Sequence, residues 1–171
     1  MKNLKNEEEV MAKWKGSHEK PLVSICCVTY NHSLYIEDAI KGFLIQETNF
    51  PFEILIHDDA STDGTSDIIR EYEARYPCLI KPIYQTENQY SQIPIIAPRF
   101  LFPIVKGEFV ALCEGDDYWN EKKKLQLQVN SMQGFPEIGI SFHPSYECRN
   151  NKAVRVLALH SKKTKIFSTK D

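Results

Sequence analysis

Three carboxylates stand within four residues in Glu114-Gly115-Asp116-Asp117, and Tyr118-Trp119 follow directly. Like charges held that close repel, and a cation among them relieves the repulsion. A divalent metal with oxygen ligands is the natural partner. The cluster ends a short apolar stretch, Glu108-Phe109-Val110-Ala111-Leu112, that reads as a buried strand. A second acidic turn, His57-Asp58-Asp59-Ala60-Ser61, ends the apolar run Phe52-Glu53-Ile54-Leu55-Ile56. Two strands that both end in paired aspartates suggest one site built from two loops.

The turn from Asp58 to Thr65 fits several patterns in part. As a calcium loop it starts well with Asp59, Ser61, Asp63 and Gly64, but its twelfth position is Arg70, where a bidentate glutamate is required. As a phosphatase motif, Asp63-Gly64-Thr65 would put the nucleophilic aspartate at Ser61, so that fit fails too. As a structural turn, Ser61, Thr62 and Asp63 cap the following helix. Capping leaves Asp58 and Asp59 unexplained. No GxGxxG follows the first strand, where Thr29-Tyr30-Asn31-His32 stands instead, and no GxxxxGK[ST] or GxSxG occurs. A dinucleotide oxidoreductase, a P-loop enzyme and a nucleophile-elbow hydrolase are all disfavoured.

The elements that must position these turns alternate. Residues 4–15 suit a short helix with Leu4, Met11 and Trp14 on one side. Leu22 to Thr29 is nearly continuous apolar sequence, as a strand buried on both faces requires. Ser33 looks like an N-cap, with Ile36, Ala39, Ile40, Phe43 and Leu44 at helical spacing. A strand over 52–57 and a helix stopped by Pro77 follow. Leu79 to Tyr84 reads as a third strand, 95–105 as a proline-broken helix and 108–113 as a fourth strand. A helix over 122–133 and a fifth strand over Ile138 to Phe142 complete the pattern, with one more strand available in Val154, Val156, Leu157 and Leu159. This alternation implies a three-layer α/β/α fold around a mostly parallel sheet. Ligands of such sheets sit at the carboxyl ends of the strands, where both acidic turns lie.

A chain of 171 residues suits one domain, and 42% hydrophobic with 26% charged residues is ordinary globular composition. A net charge of −2, with no arginine-rich stripe, argues against a nucleic-acid binder. The five cysteines show no metal-type spacing and read as small core residues of a reducing compartment. Met1 to Lys20 is polar and lacks the apolar core of a signal peptide. The longest apolar window, Ile93 to Val105, is broken by Pro94, Pro98, Pro103 and Arg99 and is a poor membrane span. From Arg149 onward Asp171 is the only acid. This basic tail reads first as a solvated extension, and peripheral contact with membrane phosphates is the other reading it leaves open.

Taken in order, Val23-Ser24-Ile25, Thr29-Tyr30-Asn31, Asp58 to Thr65, Gly107-Glu108-Phe109-Val110 and Glu114 to Trp119 resemble family 2 glycosyltransferases with a GT-A fold. The resemblance covers roughly residues 21–145. It implies inverting transfer of a sugar from a nucleoside diphosphate donor, commonly a UDP-sugar, to a hydroxyl of a saccharide or lipid-linked acceptor. It implies Mn2+ or Mg2+ as cofactor, and polysaccharide or glycolipid assembly in the cytoplasm, at the inner face of the membrane. Carried over residue by residue, Asp58 resembles the acceptor of a hydrogen bond from the donor base, with Asp59 and Asn31 beside it. Thr29 and Tyr30 resemble the wall of the base pocket. Asp116 resembles the ribose-side carboxylate, and Asp117 the metal ligand, with Asp116 as a second candidate. Glu114 holds the first acidic position of that motif, where many relatives have Asp. Arg99 resembles a phosphate-facing arginine, a second cation with fork geometry. Trp119 is placed to cover the donor, although Tyr118 and Trp119 read first as packing residues. His32 stands where the first loop approaches the donor, whereas His57 reads as a strand-end residue and His143 as a structural or surface group.

One part is missing. An inverting transferase needs a base for the acceptor hydroxyl, and after Asp117 only Glu121, Glu137, Glu147 and Asp171 remain, none in a recognisable pattern. The organisation expected is a polar extension over 1–20, a nucleotide-sugar-binding domain over 21–148, and a basic extension over 149–171 that begins an acceptor region. The chain reads as a fragment carrying the donor half. Two other classes stay open: a catalytically silent nucleotide-binding or assembly module, suggested by the missing base, and a nucleotidyltransferase, opposed by the absence of a glycine-rich loop after the first strand.

Overall fold

The computed structural model describes residues 4–149 and 152–157. Its centre is a four-stranded sheet made of β1 (Val23–Thr29), β2 (Phe52–Asp58), β3 (Ile80–Tyr84) and β4 (Phe109–Glu114). The spatial order is β3-β2-β1-β4 and every pairing is parallel. The chain therefore runs outward from β1 to β3 and then returns to the other side of β1. That reversal opens a crevice at the carboxyl ends of β1 and β4, where open α/β sheets bind ligands.

The sheet is covered on both faces at β1 and β2, which explains their uninterrupted apolar runs; the edge strand β4, expected to be buried, leaves Val110 and Leu112 exposed. On one face Cys26 and Leu55 pack against Leu101, with Val28, Ile83, Ala97 and Val105 around them. Alternation sends Ile25, Cys27, Ile54 and Ile56 to the other face, and all four are fully buried. The expected proline-broken helix is a π-type turn, Ala97–Leu101, followed by a 3-10 turn, Phe102–Ile104. Pro98 and Pro103 lack the N–H groups that a regular helix would use there.

Two helices follow their expected stripes. In α2 (Ile36–Leu44), Ile36, Ala39, Ile40, Phe43 and Leu44 are all buried; α3 (Thr65–Arg75) buries Thr65, Ile69 and Tyr72. Both start differently from expectation. Ser33 does not cap α2: residues 33–35 form a turn, and the Ser33 N–H donates to Asp63 Oδ2 at 2.9 Å. Neither Ser61 nor Thr62 caps α3. Gly64 takes the cap position at φ 98°, and Asp63 Oδ1 accepts from Thr65 N at 3.0 Å and Thr65 Oγ1 at 2.6 Å. The N-terminal helix α1 is only Glu7–Met11, closed by a capping box between Asn6 and Glu9.

Trp119, just after the acidic turn, is buried with its ring edge-on to Phe43 at 5.0 Å. Its backbone lies so close to α2 that a β-carbon on Gly42 would stand 2.8 Å from both Trp119 N and Trp119 O. The chain leaving the acidic turn is thus docked on α2 through a glycine. Alanine has better helix propensity by about 1 kcal/mol, but overpacking against backbone costs about 1–3 kcal/mol or more. Gly42→Ala is expected to lower the thermal midpoint by several degrees in a melting experiment. An unchanged midpoint would mean that the 118–119 segment is not held by this contact.

The chain divides into two compact units, Met1–Gln126 and Leu127–Asp171, with α4 (Lys124–Gly134) running across the division. The first unit carries the sheet described above. In the second, β5 (Ser145–Arg149) and β6 (Lys152–Leu157) form an antiparallel pair with a bulge at Glu147/Cys148. The expected fifth strand over Ile138 to Phe142 does not form: residues 138–144 are irregular, with Ile140 and Phe142 exposed. Gly139 weakens a strand there and Pro144 removes a ladder donor. Of the additional strand expected around 154–159, the part through Leu157 is β6, and Leu159 lies outside the described residues, as does most of the basic tail. No helix among the described residues is long and apolar enough to cross a membrane.

Candidate functional site

The carboxyl ends of β1, β2 and β4 converge through backbone bonds. Asp59 N donates to Thr29 O at 3.0 Å, joining β2 to β1, and Gly115 N donates to Val28 O at 2.9 Å, joining β4 to β1. Both acidic turns are therefore attached to the same first strand.

The loop after β1 is clamped to the loop after β2. Asn31 adopts φ 55°, a left-handed conformation that asparagine tolerates. Its N–H donates to Ser61 Oγ at 2.9 Å, and its Oδ1 accepts from Thr62 N at 2.8 Å. Asp63 completes the clamp through Ser33, and these bonds with those from Thr65 outweigh burial and hold its carboxyl well below the usual range. Ser61, Thr62 and Asp63 thus fasten two loops together, which is why they do not act as simple helix caps.

Asp58 and Asp59 have separate duties. Asp58 is buried, with Oδ1 accepting from Ser61 N at 3.2 Å and Oδ2 accepting a short hydrogen bond from Ser66 Oγ. Asp59 is equally buried and holds the next loop: Oδ1 accepts from Gln89 N at 2.7 Å and Oδ2 from Tyr90 N at 2.9 Å. Two backbone donors occupy the Asp59 carboxylate, so its evident work is to shape the 85–92 loop. Asp58 keeps acceptor capacity beyond its two partners, since a carboxylate offers about four lone-pair sites. His57 is fully buried between β2 and the 97–101 turn, its ring 4.9 Å from that of Phe100, and burial lowers its pKa. It is a strand-end packing residue, as its position suggested.

The second acidic turn closes through Asp117 N donating to Glu114 O at 3.1 Å. The Asp117 carboxyl is pushed above its ordinary value, first by partial burial and then by the charge of Asp116. Cys113 lies beneath, its thiol pushed up to about 12, chiefly by burial and then by Asp117. It donates to Asp117 O at 3.8 Å, and all five cysteines are free. Cys26, Cys27 and Cys113 are buried core residues as expected, whereas Cys78 is only partly buried and Cys148 is exposed.

Hard oxygen ligands fit Mn2+ or Mg2+, and Asp117 with Asp116 supplies two of them where negative charge is already costly. No group of three or more His, Cys, Asp or Glu able to hold a metal occurs among the described residues.

Arg99 sits in the π-type turn and is exposed, with its guanidinium carbon 5.8 Å from the Phe100 ring centre. The structure brings Thr29, Asn31, Asp58 and Asp59 together and ties Asp116 and Asp117 to the same strand. It shows no ion pair from Arg99 to either acidic turn among the described residues. Tyr30 stands half exposed at the rim. Sequence reasoning left two contributors out of the site set. Ser66 is hydrogen-bonded to Asp58, and its only signal was its place in the first turn of α3. Gly115 has no room for a β-carbon, which would lie 2.5 Å from Thr29 Oγ1; its signal was a glycine between acids.

The parallel sheet with acidic turns at the reversal of strand order is of the GT-A glycosyltransferase kind, as its likeness to solved structures of that fold shows. The sequence pattern described as Glycosyl transferase family 2 matches residues 24–169, and the chain belongs to that family. It is 46% identical over 123 residues to Rv1520 of Mycobacterium tuberculosis, covering 71% of this chain and 34% of that protein. It is 34% identical over 113 residues to the Escherichia coli UDP-Glc:alpha-D-GlcNAc-diphosphoundecaprenol beta-1,3-glucosyltransferase WfaP, covering 66% of this chain and 41% of that one. Among solved structures it resembles Staphylococcus aureus TarS 1-349 in complex with UDP, with a TM-score of 0.52 and 26% identity over 66% of this chain and 32% of that one. The chain thus spans about a third to two fifths of the length of these relatives.

Proposed function

We propose that this chain is the donor-binding part of an inverting, metal-dependent glycosyltransferase that uses a UDP-sugar. The observation that carries the reading is the convergence of Thr29, Asp58 and the Asp116-Asp117 pair on the carboxyl ends of adjacent strands at the sheet's reversal point. Asp58, fixed by Ser61 and Ser66, presents a remaining lone pair to the imide N–H of uracil. Tyr30 and Thr29 wall the base pocket. Asp116 lies on the ribose side, and Asp117, with Asp116, holds Mn2+ or Mg2+ against the diphosphate. A bound cation supplies charge neutralisation for the departing diphosphate. Arg99 is a second cation for that diphosphate once its turn faces the donor. In the reaction the acceptor hydroxyl oxygen bonds to the anomeric carbon as the bond to the diphosphate oxygen breaks. The hydroxyl proton passes to a base outside the set identified here.

The acceptor is a saccharide or lipid-linked saccharide hydroxyl, in polysaccharide or glycolipid assembly at the cytoplasmic face of a membrane. The lipid-linked acceptor named for WfaP and the UDP complex of TarS support this reading. Calorimetric titration with UDP, with and without Mn2+ and beside GDP, tests it. Metal-dependent binding that prefers UDP is the expected result. No binding of either nucleotide would overturn the donor-site reading and favour a silent assembly module.

A further inference from the structure

Two polar atoms at the heart of the crevice lack a partner. Thr29 Oγ1 and His32 Nδ1 are both buried, and neither has a hydrogen-bond partner among the described residues. They flank one point: a β-carbon built on Gly115 would lie 2.5 Å from Thr29 Oγ1 and 3.0 Å from His32 Nδ1. Glycine at 115 therefore lets the β4 turn close onto both side chains. On the far side of the same ring, His32 Nε2 is 4.0 Å from Asp116 Oδ2.

The chemistry of these groups selects one arrangement. The Asp116 carboxylate only accepts hydrogen bonds, so the ring nitrogen facing it is the one that carries a proton. In that tautomer Nδ1 keeps a lone pair, and the Thr29 hydroxyl is a buried donor without a partner of its own. A Thr29–His32 hydrogen bond would remove two buried unsatisfied atoms, each costly if left alone.

We propose that His32 is a positioning residue of the donor site. Its ring, held in the Nε2–H tautomer by Thr29, orients the Asp116 carboxylate toward the bound nucleotide and its cation. This rests on the donor-site reading of Asp116 given above. Residues that orient a ligating carboxylate typically contribute 10- to 100-fold to affinity or activity.

The test is titration of the chain with UDP in the presence of Mn2+. His32→Ala is expected to lose about tenfold in affinity, and His32→Gln, whose amide N–H reaches the Nε2 position, to regain most of it. Thr29→Val is expected to fall between. A far-ultraviolet spectrum and a melt of each variant separate lost affinity from lost fold. Long-range proton–nitrogen correlation spectra of the unliganded protein are expected to show His32 protonated at Nε2. Wild-type affinity in His32→Ala, with binding lost in Asp117→Ala, would overturn the role of His32 and leave the donor site standing. A His32→Gln variant no better than His32→Ala, or a proton found on Nδ1, would also overturn it. Failure of the wild-type chain to bind UDP or GDP would overturn the donor-site reading and this proposal with it.

Discussion

Asp117→Ala is expected to abolish the Mn2+-dependent part of UDP binding, a loss of about 100-fold or more, or roughly 2.7 kcal/mol. Partial burial and the neighbouring Asp116 hold the Asp117 carboxyl above its ordinary pKa, so its charge opposes the folded state at neutral pH. A divalent cation converts that repulsion into attraction. The sign gives a control. A group whose folded pKa is raised contributes stability only while protonated, and that contribution is lost as pH rises. Removing the charge with Asp117→Asn should therefore leave the unliganded protein as stable as wild type at neutral pH, or slightly more so, while weakening metal-dependent binding. Calorimetry with and without Mn2+, beside melts without metal, reads both effects. Full Mn2+ dependence in Asp117→Ala would refute the metal assignment. Lower stability of unliganded Asp117→Asn would show that the carboxylate has a structural partner instead.

The parts of this molecule legible in its sequence are those set by local periodicity. β1 and β2 are continuous apolar runs because both faces of the sheet are covered, and α2 shows its buried stripe directly. The two acidic turns were legible as one site because strand ends in a parallel sheet share an edge. What escaped depends on contacts between distant residues. Ser61 and Thr62 have the composition of helix caps, yet they bond to Asn31, about thirty residues away, and Gly64 takes the cap position. Ile138 to Phe142 has strand composition, yet Gly139 and Pro144 let it fail. Asp58 and Asp59 look alike in sequence, and only the bonds from Gln89 and Tyr90 show that Asp59 organises a loop. A charge within a strand is equally opaque, and Glu53 is the instance with the largest consequence.

Glu53 is the second residue of β2, with a side chain only 1% exposed. It gathers the entry ends of all four strands. Its carboxylate accepts from Ser24 Oγ of β1 at 2.6 Å, from Lys81 Nζ of β3 at 2.9 Å, and from Lys106 N just before β4 at 3.0 Å. Ser24 Oγ in turn accepts from Gly107 N at 2.9 Å. Gly107 approaches so closely that a β-carbon would lie 2.5 Å from Ser24 N. Removing the carboxylate strands the buried Ser24 hydroxyl and the part-buried Lys106 N–H, while half-exposed Lys81 can turn to water. Glu53→Ala is expected to cost about 3–5 kcal/mol, read as the shift of a urea unfolding curve, and Glu53→Gln less because one acceptor oxygen remains. Burial by itself would raise the Glu53 pKa. The hydrogen bonds from Ser24, Lys81 and Lys106, with the charge of Lys81, outweigh it and lower the pKa from 4.5. A lowered folded pKa gives stability that is fully present above the unfolded value and lost as pH falls through the folded one. The stability gap between wild type and Glu53→Gln should therefore be constant from neutral pH down to the ordinary glutamate range and close below it. A gap that persists unchanged through acid would mean that the cluster acts by packing rather than by charge. A gap that closes would show that one buried carboxylate ties β4, and with it the Asp116-Asp117 turn at its far end, to the rest of the sheet.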